Sequence, residues 1–384
     1  MTICYFGAYD KTYSKDKINL DGLKKVGVNI VECNIKKPPV KFTSKIYFAF
    51  FTILHPFTLP FRNIYGLVKG IYLFIVTPYD VILVGHPGHF DVPAAYLLAK
   101  IIRKPLIFDT VLSLYDVFVN EKKLIKKDST KGKLLFAAEK IIYSLCDVIL
   151  VISRQEKVFF EKLFTLPSSK IDISYLGADD GIYYVRPESK FDTQGKFIIA
   201  FYGFHAPLHG VPYIMRSAKI CEKDPSIQYL FIGAAGQTYE SDILLSQELG
   251  LQNVSFLKLS ETTGAIDVLS KADIVLGVFE NMATGLRAIP NKIFQGLAME
   301  KPVITAKSDG ILELFTHGKN IYLCNTADPQ SLANAILELK SNKQLRNTIA
   351  ENGYKLYREQ FTCEAVARNI VKICKRVIQQ KYEK

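Results

Sequence analysis

Residues 272–306 read ADIVLGVFENMATGLRAIPNKIFQGLAMEKPVITA and decide the fold. An apolar run over residues 273–279 has the pattern of a buried β-strand, and a second such run covers residues 302–306. Between them lie a polar loop and a helix predicted over residues 290–299. A strand, a crossover helix and a second strand indicate a parallel sheet. The loop is therefore expected at the carboxyl end of a strand, where open α/β sheets bind ligands.

The cations of this segment predict an anion-binding site. Pro290 suits the first turn of a helix, and Lys292 lies inside that turn, where backbone N–H groups are unpaired. Arg287 stands just upstream. Unpaired N–H groups and nearby cations together favour a phosphate. An ordinary strand-helix-strand crossover with solvated cations has the same spacing, so spacing alone leaves both interpretations open.

The same alternation of strands and helices runs through the whole chain. The predicted strands cover residues 3–7, 28–33, 81–85, 106–109 and 148–152 in the first half, and 197–202, 229–233, 254–257, 274–279, 303–305 and 321–324 in the second. Helices are predicted to begin at Ser153, Ser260 and Asp328. A chain of 384 residues is too long for one compact core. We predict α/β domains over 1–185 and 186–360, with a polar linker at 177–196, and a C-terminal helix over 361–384.

The string IPNKIFQGLAMEKPVIT at residues 289–305 resembles the nucleotide-sugar-binding region of glycosyltransferase family 4 and its relatives. Pieces in the family's order occur at residues 201–220, 227–236, 254–279 and 358–373. Over the first half the resemblance is looser and rests on residues 80–119. It implies the GT-B fold: two Rossmann-like, doubly wound parallel-sheet domains facing a cleft, with the C-terminal helix returning to the first domain.

The resemblance also implies a donor site in the second domain. The matching positions are Gly203, His209, Gly210, Arg287, Ile289, Pro290, Lys292 and Gln295. Gly203 and Gly210 permit close approach of a diphosphate, and Gln295 can hydrogen-bond ribose hydroxyls. Four positions depart from the family: His209 stands for a frequent lysine, Phe204 for a frequent arginine, and Arg287 and Gln295 for the two glutamates of Glu-x7-Glu. With these departures, Arg287 and Lys292 are the cations expected to neutralise the leaving diphosphate during catalysis. The alternative is that catalysis has been lost.

In the first domain, loops after predicted strands carry the candidate acceptor side. Gly7 and Asp10 lie in one loop, and Gly88 and His89 in another. Asp109 and Asp116 are the carboxylates expected near the reacting sugar or acceptor hydroxyl, although helix capping explains each equally well. His86, His89 and Asp91 have too few neighbours to predict a metal site. The resembled fold needs neither metal nor cofactor.

The net charge of +12 calls for an anionic partner. Two aromatic-rich runs, at residues 46–61 and 70–79, fall short of a membrane span, and Pro56 and Pro60 are expected to break the first as a helix. Flanking lysines suit a segment lying on an anionic membrane surface. The basic stretch at 120–133 could meet lipid headgroups or be a solvated loop. Nucleic acid is disfavoured because its recognition motifs are missing from the sequence.

Seven cysteines without ligand spacing predict buried thiols in a reducing compartment. The N-terminus lacks the pattern of a signal peptide, which favours a cytoplasmic protein on the inner face of the membrane. The resemblance predicts a retaining, metal-independent transferase of hexosyl type, using a nucleotide-sugar donor and a lipid-linked or cell-envelope glycan acceptor. A decayed scaffold that binds nucleotides or polyanions without turnover is the alternative. An oxidoreductase is disfavoured because no predicted strand precedes GxGxxG.

Overall fold

The computed structural model describes residues 1–35, 55–186, 191–203, 205–233, 237–258 and 265–383. The chain forms two compact units: Met1–Tyr175 with Cys363–Lys384, and Leu176–Thr362. The first unit is therefore made of two chain segments, because the C-terminal residues belong with the N-terminal ones. The division falls at 175/176 and 362/363, where the sequence predicted 185/186 and 360/361.

Unit 1 contains a six-stranded parallel sheet in the order β2-β1-β3-β4-β5-β6. The strands are β1 Thr2–Gly7, β2 Asn29–Asn34, β3 Val81–Val84, β4 Leu106–Asp109, β5 Val148–Val151 and β6 Ile171–Ile173. The helices are α1 Ser14–Lys25, α2 His55–Val76, α3 Val92–Ile102, α4 Thr130–Leu145 and α5 Arg154–Phe164, with a π-helical turn at Asp116–Glu121 and a 3₁₀ turn at Ser168–Lys170. The C-terminal helix also belongs to this unit.

Alternate residues of the unit 1 strands enter two different cores. Phe6 and Val84 belong to one core, whereas their neighbours Tyr5 and Leu83 belong to the other. This period of two is what a sheet covered on both faces requires. The C-terminal helix Cys363–Tyr382 packs into the second core, next to α1.

Unit 2 contains a second six-stranded parallel sheet, in the order β12-β11-β10-β7-β8-β9. Its strands are β7 Phe197–Tyr202, β8 Ile227–Gly233, β9 Val254–Lys258, β10 Ile274–Leu276, β11 Val303–Ala306 and β12 Tyr322–Cys324. Its helices are α6 Val211–Cys221, α7 Gln237–Glu248, α8 Ala265–Lys271, α9 Ala283–Arg287, α10 Asn291–Ala298, α11 Asp309–Leu312, α12 Pro329–Ser341 and α13 Lys343–Gln360, with a 3₁₀ turn at Pro207–His209. The C-terminal helix of unit 1 is α14.

The predicted fold class is confirmed, and three local predictions need correction. Strand β6, which has three residues, was not predicted. The polar loop after β10 contains the short helix α9. Pro60 lies inside α2, which continues to Val76. A proline there removes one backbone hydrogen bond near the helix start, and α2 has enough turns beyond it to persist.

Two of the predicted helix starts are confirmed by their caps. The Ser153 hydroxyl accepts from the Glu156 N–H at 2.9 Å, and the Asp328 carboxylate accepts from the Ser331 N–H at 2.9 Å. Ser260, and residues 46–54 of the predicted membrane-interface segment, lie outside the described residues. All seven cysteines are buried free thiols, as their apolar surroundings in the sequence indicated.

Candidate functional site

Lys292 occupies the first turn of α10, and its side chain lies beside the loop that follows β7. The ammonium nitrogen Nζ is 4.1 Å from the centre of the Phe201 ring. It also lies 3.9 Å from the point where a Cβ on Gly203 would be. The residue is 7% exposed, and Nζ has no hydrogen-bond partner among the described residues. The structure thus brings together the loop and the lysine that the sequence had placed in one site.

A buried lysine without a counterion is costly, and the contact with Phe201 does not offset that cost. A desolvated cation over an aromatic face gains about 2 kcal/mol. Burying an ammonium group costs several kcal/mol. Burial accordingly lowers the pKa of Lys292 well below its usual value. A buried amine that has no acceptor among the described residues is suited to an anion-binding site.

The glycines of this loop are required by its backbone. Gly203 has φ +120° and Gly210 has φ +68°. A Cβ on Gly210 would lie 2.7 Å from the backbone nitrogen of Glu280. Between them, the His209 ring packs edge-on against Phe201 at 5.8 Å, and its carbonyl accepts from the Phe279 N–H at 3.1 Å. Phe204, the predicted departure from the family's arginine, lies outside the described residues.

The other predicted donor residues flank Lys292 along the chain. Arg287 ends α9 and is partly buried. Ile289 is 1% exposed and packs in the core. Pro290 is the N-cap residue of α10, and Gln295 is partly buried one turn further on. Their roles toward a donor remain predictions.

Sequence reasoning missed a His–Asp pair beside this loop. The His205 imidazole nitrogen Nδ1 lies 2.7 Å from a carboxylate oxygen of Asp242 on α7. The side chain of His205 is fully buried, and Nε2 has no partner among the described residues. A Cβ on Gly233, at the end of β8, would lie 2.7 Å from Nε2. The glycine therefore lets the imidazole close against the strand. The residues are 37 apart in sequence, so no local pattern could have revealed the pair.

In unit 1, Asp109 lies in a buried polar cluster. Its carboxylate accepts from the Asn19 amide at 2.8 Å and lies 3.7 Å from the Lys15 ammonium nitrogen. Lys15 also donates to the Ser174 and Tyr175 carbonyl oxygens, at 2.9 and 3.1 Å. Burial raises the pKa of Asp109 and lowers the pKa of Lys15. A carboxylate 1% exposed and held in this way supports the loops around it more readily than it meets a substrate.

Asp16 adds a second carboxyl group to that cluster. It accepts from the Tyr5 hydroxyl at 2.7 Å and from the His86 backbone N–H at 3.1 Å. Burial raises its pKa to about 7. No sequence pattern singles out Asp16, because a carboxylate near a helix start is usually solvated.

His89 belongs to another buried network, centred on Glu139 of α4. Its Nε2 lies 3.2 Å from Glu139 Oε1 and 3.2 Å from the Tyr143 hydroxyl. Glu139 also accepts from the Ser113 hydroxyl and from the Leu114 and Tyr115 backbone N–H groups. These bonds hold the pKa of Glu139 below its usual value despite burial. The network anchors the loop after β4 to α4, and His89 is 0% exposed within it.

The remaining predicted residues of unit 1 are dispersed. Asp116, at the start of the π-helical turn, accepts from the Asn120 amide at 2.7 Å. Asp10 is exposed and accepts from the Thr12 N–H and hydroxyl. Gly7 has φ +117°, and Gly88 is tightly enclosed. Asp91, considered as a metal ligand, instead pairs with Arg62 at 2.7 Å and accepts from the Ala8 N–H.

Comparison with known proteins extends these observations. The fold is similar to that of Anabaena Alr3699/HepE in complex with UDP-glucose, with a TM-score of 0.69 over 98% of this chain and 99% of that one, at 15% identity. Residues 186–356 match the family described as Glycosyl transferases group 1. Residues 186–356 therefore form a domain of the group 1 glycosyltransferases, and the chain as a whole has the GT-B fold. The matched region contains β7, α10 and Lys292.

Two curated glycosyltransferases illustrate the relationship. The probable glycosyltransferase WbjE of Pseudomonas aeruginosa is 26% identical over 283 residues, which cover 69% of this chain and 70% of WbjE. The capsular polysaccharide biosynthesis glycosyltransferase CapM of Staphylococcus aureus is 23% identical over 326 residues, covering 80% of this glycosyltransferase and 79% of CapM. Both alignments are long enough to extend beyond the matched region of this glycosyltransferase.

Proposed function

We propose that this glycosyltransferase takes a sugar from a nucleotide-sugar donor, whose diphosphate binds at Lys292 and the β7 loop. The acceptor in this proposal is a lipid-linked or cell-envelope glycan at a membrane surface. The observation that carries the donor half is the buried Nζ of Lys292, which lies beside Gly203 and has no hydrogen-bond partner in the described part of the chain. A diphosphate supplies the acceptor oxygens that this nitrogen lacks. A cation there also stabilises the negative charge that develops on the departing diphosphate.

Ligand-dependent thermal stability tests the donor site directly. UDP-glucose is the first probe, because the Anabaena relative of similar fold was crystallised with it, followed by UDP, GDP-mannose and ADP-glucose. A ligand that binds the folded state raises the melting temperature. We expect Lys292→Met to abolish that rise, and Lys307→Met, which removes an exposed cation of the same unit, to retain it. An equal rise in both variants would rule out the Lys292 site.

Retention of anomeric configuration and independence from metal are the finer parts of the proposal. They rest on the family resemblance and on the cations available to the diphosphate. Proton NMR of the first-formed product from an α-linked donor reads the configuration, and a β product contradicts retention. Activity should persist in EDTA; loss restored by divalent metal would contradict the second part. Donor binding without any turnover would favour the decayed scaffold instead.

An exposed apolar face on α2 supports the membrane half of the proposal. Seven large side chains at helical spacing are more than half exposed: Phe61, Ile64, Tyr65, Val68, Tyr72, Ile75 and Val76. Leu67, Ile71 and Phe74, on the opposite side, pack against the unit 1 core. A contiguous apolar stripe beside solvent marks an interaction surface.

Basic residues accompany this stripe. Leu97 and Ile101 of the neighbouring helix α3 are also more than half exposed, and Lys100 and Arg103 stand beside them. All six lysines of the 120–133 stretch are exposed. Apolar side chains with adjacent cations are the combination by which proteins bind anionic lipid surfaces.

By length and composition, Leu59–Val76 of α2 also passes as a membrane span, with 11% of that window buried inside the protein. Packing of its other side against the core favours a helix lying on the membrane surface. Flotation with liposomes containing phosphatidylglycerol should recover the protein, and alkaline carbonate should release it. We expect Ile64→Glu with Val68→Glu to abolish flotation, and Leu244→Glu, an exposed leucine of unit 2, to leave it unchanged. Retention after carbonate would indicate a span, and flotation of the double variant would exclude this surface.

A further inference from the structure

The amine of Lys292 lies in surroundings that disfavour its charged form. It is buried, and no described residue offers Nζ an acceptor oxygen or a carboxylate. The residue is in the first turn of α10, where the helix dipole is positive and repels a cation. Among the described residues, the face of Phe201 is the stabilising contact for a positive charge.

Charged neighbours do not change this conclusion. Burial is the one cause that lowers the pKa of Lys292, and no charged side chain of the described elements around it contributes. The rings of His205 and His209 contact the same Phe201 ring. Arg287, five residues before Lys292, is not among the causes that shift the pKa of Lys292. A neutral amine therefore fits the protein before ligand binds.

We propose that Lys292 is a neutral amine in the free protein and takes up one proton from solvent when the donor diphosphate binds. This inference rests on the proposed donor site and adds a proton to its binding equilibrium. The diphosphate brings negative charge and acceptor oxygens, so the ammonium form gains hydrogen bonds that the free protein does not provide. The neutral amine, one solvent proton and the diphosphate dianion become an ion pair, and no covalent bond of the donor changes.

The sign of the resulting pH dependence follows from linkage. Below the pKa of Lys292 in the free protein, the amine is already charged and donor binding needs no proton. Between that pKa and the higher pKa of the complex, each binding event consumes one proton. Donor affinity therefore falls up to tenfold for each pH unit in that window. A permanently charged side chain removes this dependence, because an arginine does not lose its proton in a protein.

Titration calorimetry in buffers of different ionisation enthalpy measures the number of protons taken up when the donor binds. UDP-glucose is the suitable probe, because its diphosphate is esterified at both ends and does not titrate near neutral pH. Plotted against buffer ionisation enthalpy at pH 7.5, the observed binding enthalpy of the wild type should have a slope near one proton taken up. The dissociation constant should rise with pH in the same buffers, which gives a second measurement that needs no variant.

Variants at single positions test whether Lys292 is the group that takes up the proton. Lys292→Arg should bind with a slope near zero, whereas Lys307→Met should keep the slope of the wild type. Wild-type binding without proton uptake would overturn the inference while leaving the donor site intact. A slope that persists in Lys292→Arg would place the proton elsewhere and also overturn it. If UDP-glucose, GDP-mannose and ADP-glucose all fail to bind the wild type, the proposed donor site itself fails.

Discussion

At the residue scale, buried ionisable groups in the two units are compensated in different ways. Lys15 has a carboxylate neighbour and three oxygen atoms within hydrogen-bond distance, whereas Lys292 has no such partner among the described residues. The partners of Lys15 all belong to the protein, so this arrangement stabilises unit 1. In the proposed donor site a diphosphate completes the arrangement around Lys292, which is why Lys292, and not Lys15, carries that proposal.

The raised pKa of Asp16 predicts a specific pH dependence of stability. The folded pKa is about 7, whereas an unfolded aspartate titrates near pH 4. Between these values the folded state binds more protons than the unfolded state, so the free energy of unfolding falls as pH rises. Between pH 5 and 7.5 this titration should lower the free energy of unfolding of the wild type by about 2 kcal/mol. Asp16→Asn should remove that decrease. Urea unfolding followed by circular dichroism measures it; identical pH profiles in both proteins would contradict the assignment.

Two glycines with similar backbone angles allow the cost of a steric clash to be distinguished from the cost of a left-handed backbone conformation. Gly210 and Gly250 have φ +68° and +60°, but a Cβ meets the Glu280 nitrogen only at Gly210 and nothing within 4 Å at Gly250. Gly250→Ala should cost about 1 kcal/mol for the left-handed backbone. Gly210→Ala should cost clearly more and lower the affinity for UDP-glucose. Equal losses of stability and unchanged affinity would show that the loop adapts.

At the element scale, α4 holds the loop after β4 through one side chain. Glu139→Ala removes the acceptor for four described donors, from Ser113, Leu114, Tyr115 and Tyr143. Losing a buried charge with its hydrogen bonds should cost roughly 3–5 kcal/mol. The exposed pair of Glu364 with Arg368 offers the control, since Glu364→Ala should cost under about 1 kcal/mol. Chemical denaturation measures both, and similar costs would refute the network's structural role.

At the scale of the whole molecule, the first unit depends on the last helix of the chain. Ile370 of α14 is fully buried in the unit 1 core, and Gly22 of α1 faces the Cys363 carbonyl so closely that a side chain would clash. Ile370→Ala should destabilise unit 1 by about 2–5 kcal/mol. Hydrogen exchange should rise in β1 and β3 and stay unchanged in β7 and β8. Ile336→Ala, buried in unit 2, should give the reverse pattern.

The fold class, most strands and the loop proposed for the donor could be predicted from the sequence alone. Strand-helix alternation is a local pattern, and the string around Lys292 lies within one short stretch, so both could be read directly. Helix starts at Ser153 and Asp328 were predictable for the same reason, since a cap bonds to an N–H three residues away. The continuous helix α2 was not, because backbone patterns around Pro56 and Pro60 favour a break unless packing supports the remaining turns.

Only the tertiary structure decided how ionisable residues are partnered. The sequence predicted His89 in an acceptor-side loop and Asp109 near the reacting sugar, yet folding places Asp109 beside Lys15, 94 positions earlier in the numbering, and His89 beside Glu139, 50 positions later. The His205–Asp242 pair was invisible to local patterns for the same reason. Burial and partnering depend on which strands become neighbours in a sheet. That choice sets the pKa of each group, and it separates Lys292, which has no partner in the described ranges, from lysines such as Lys15 that have one.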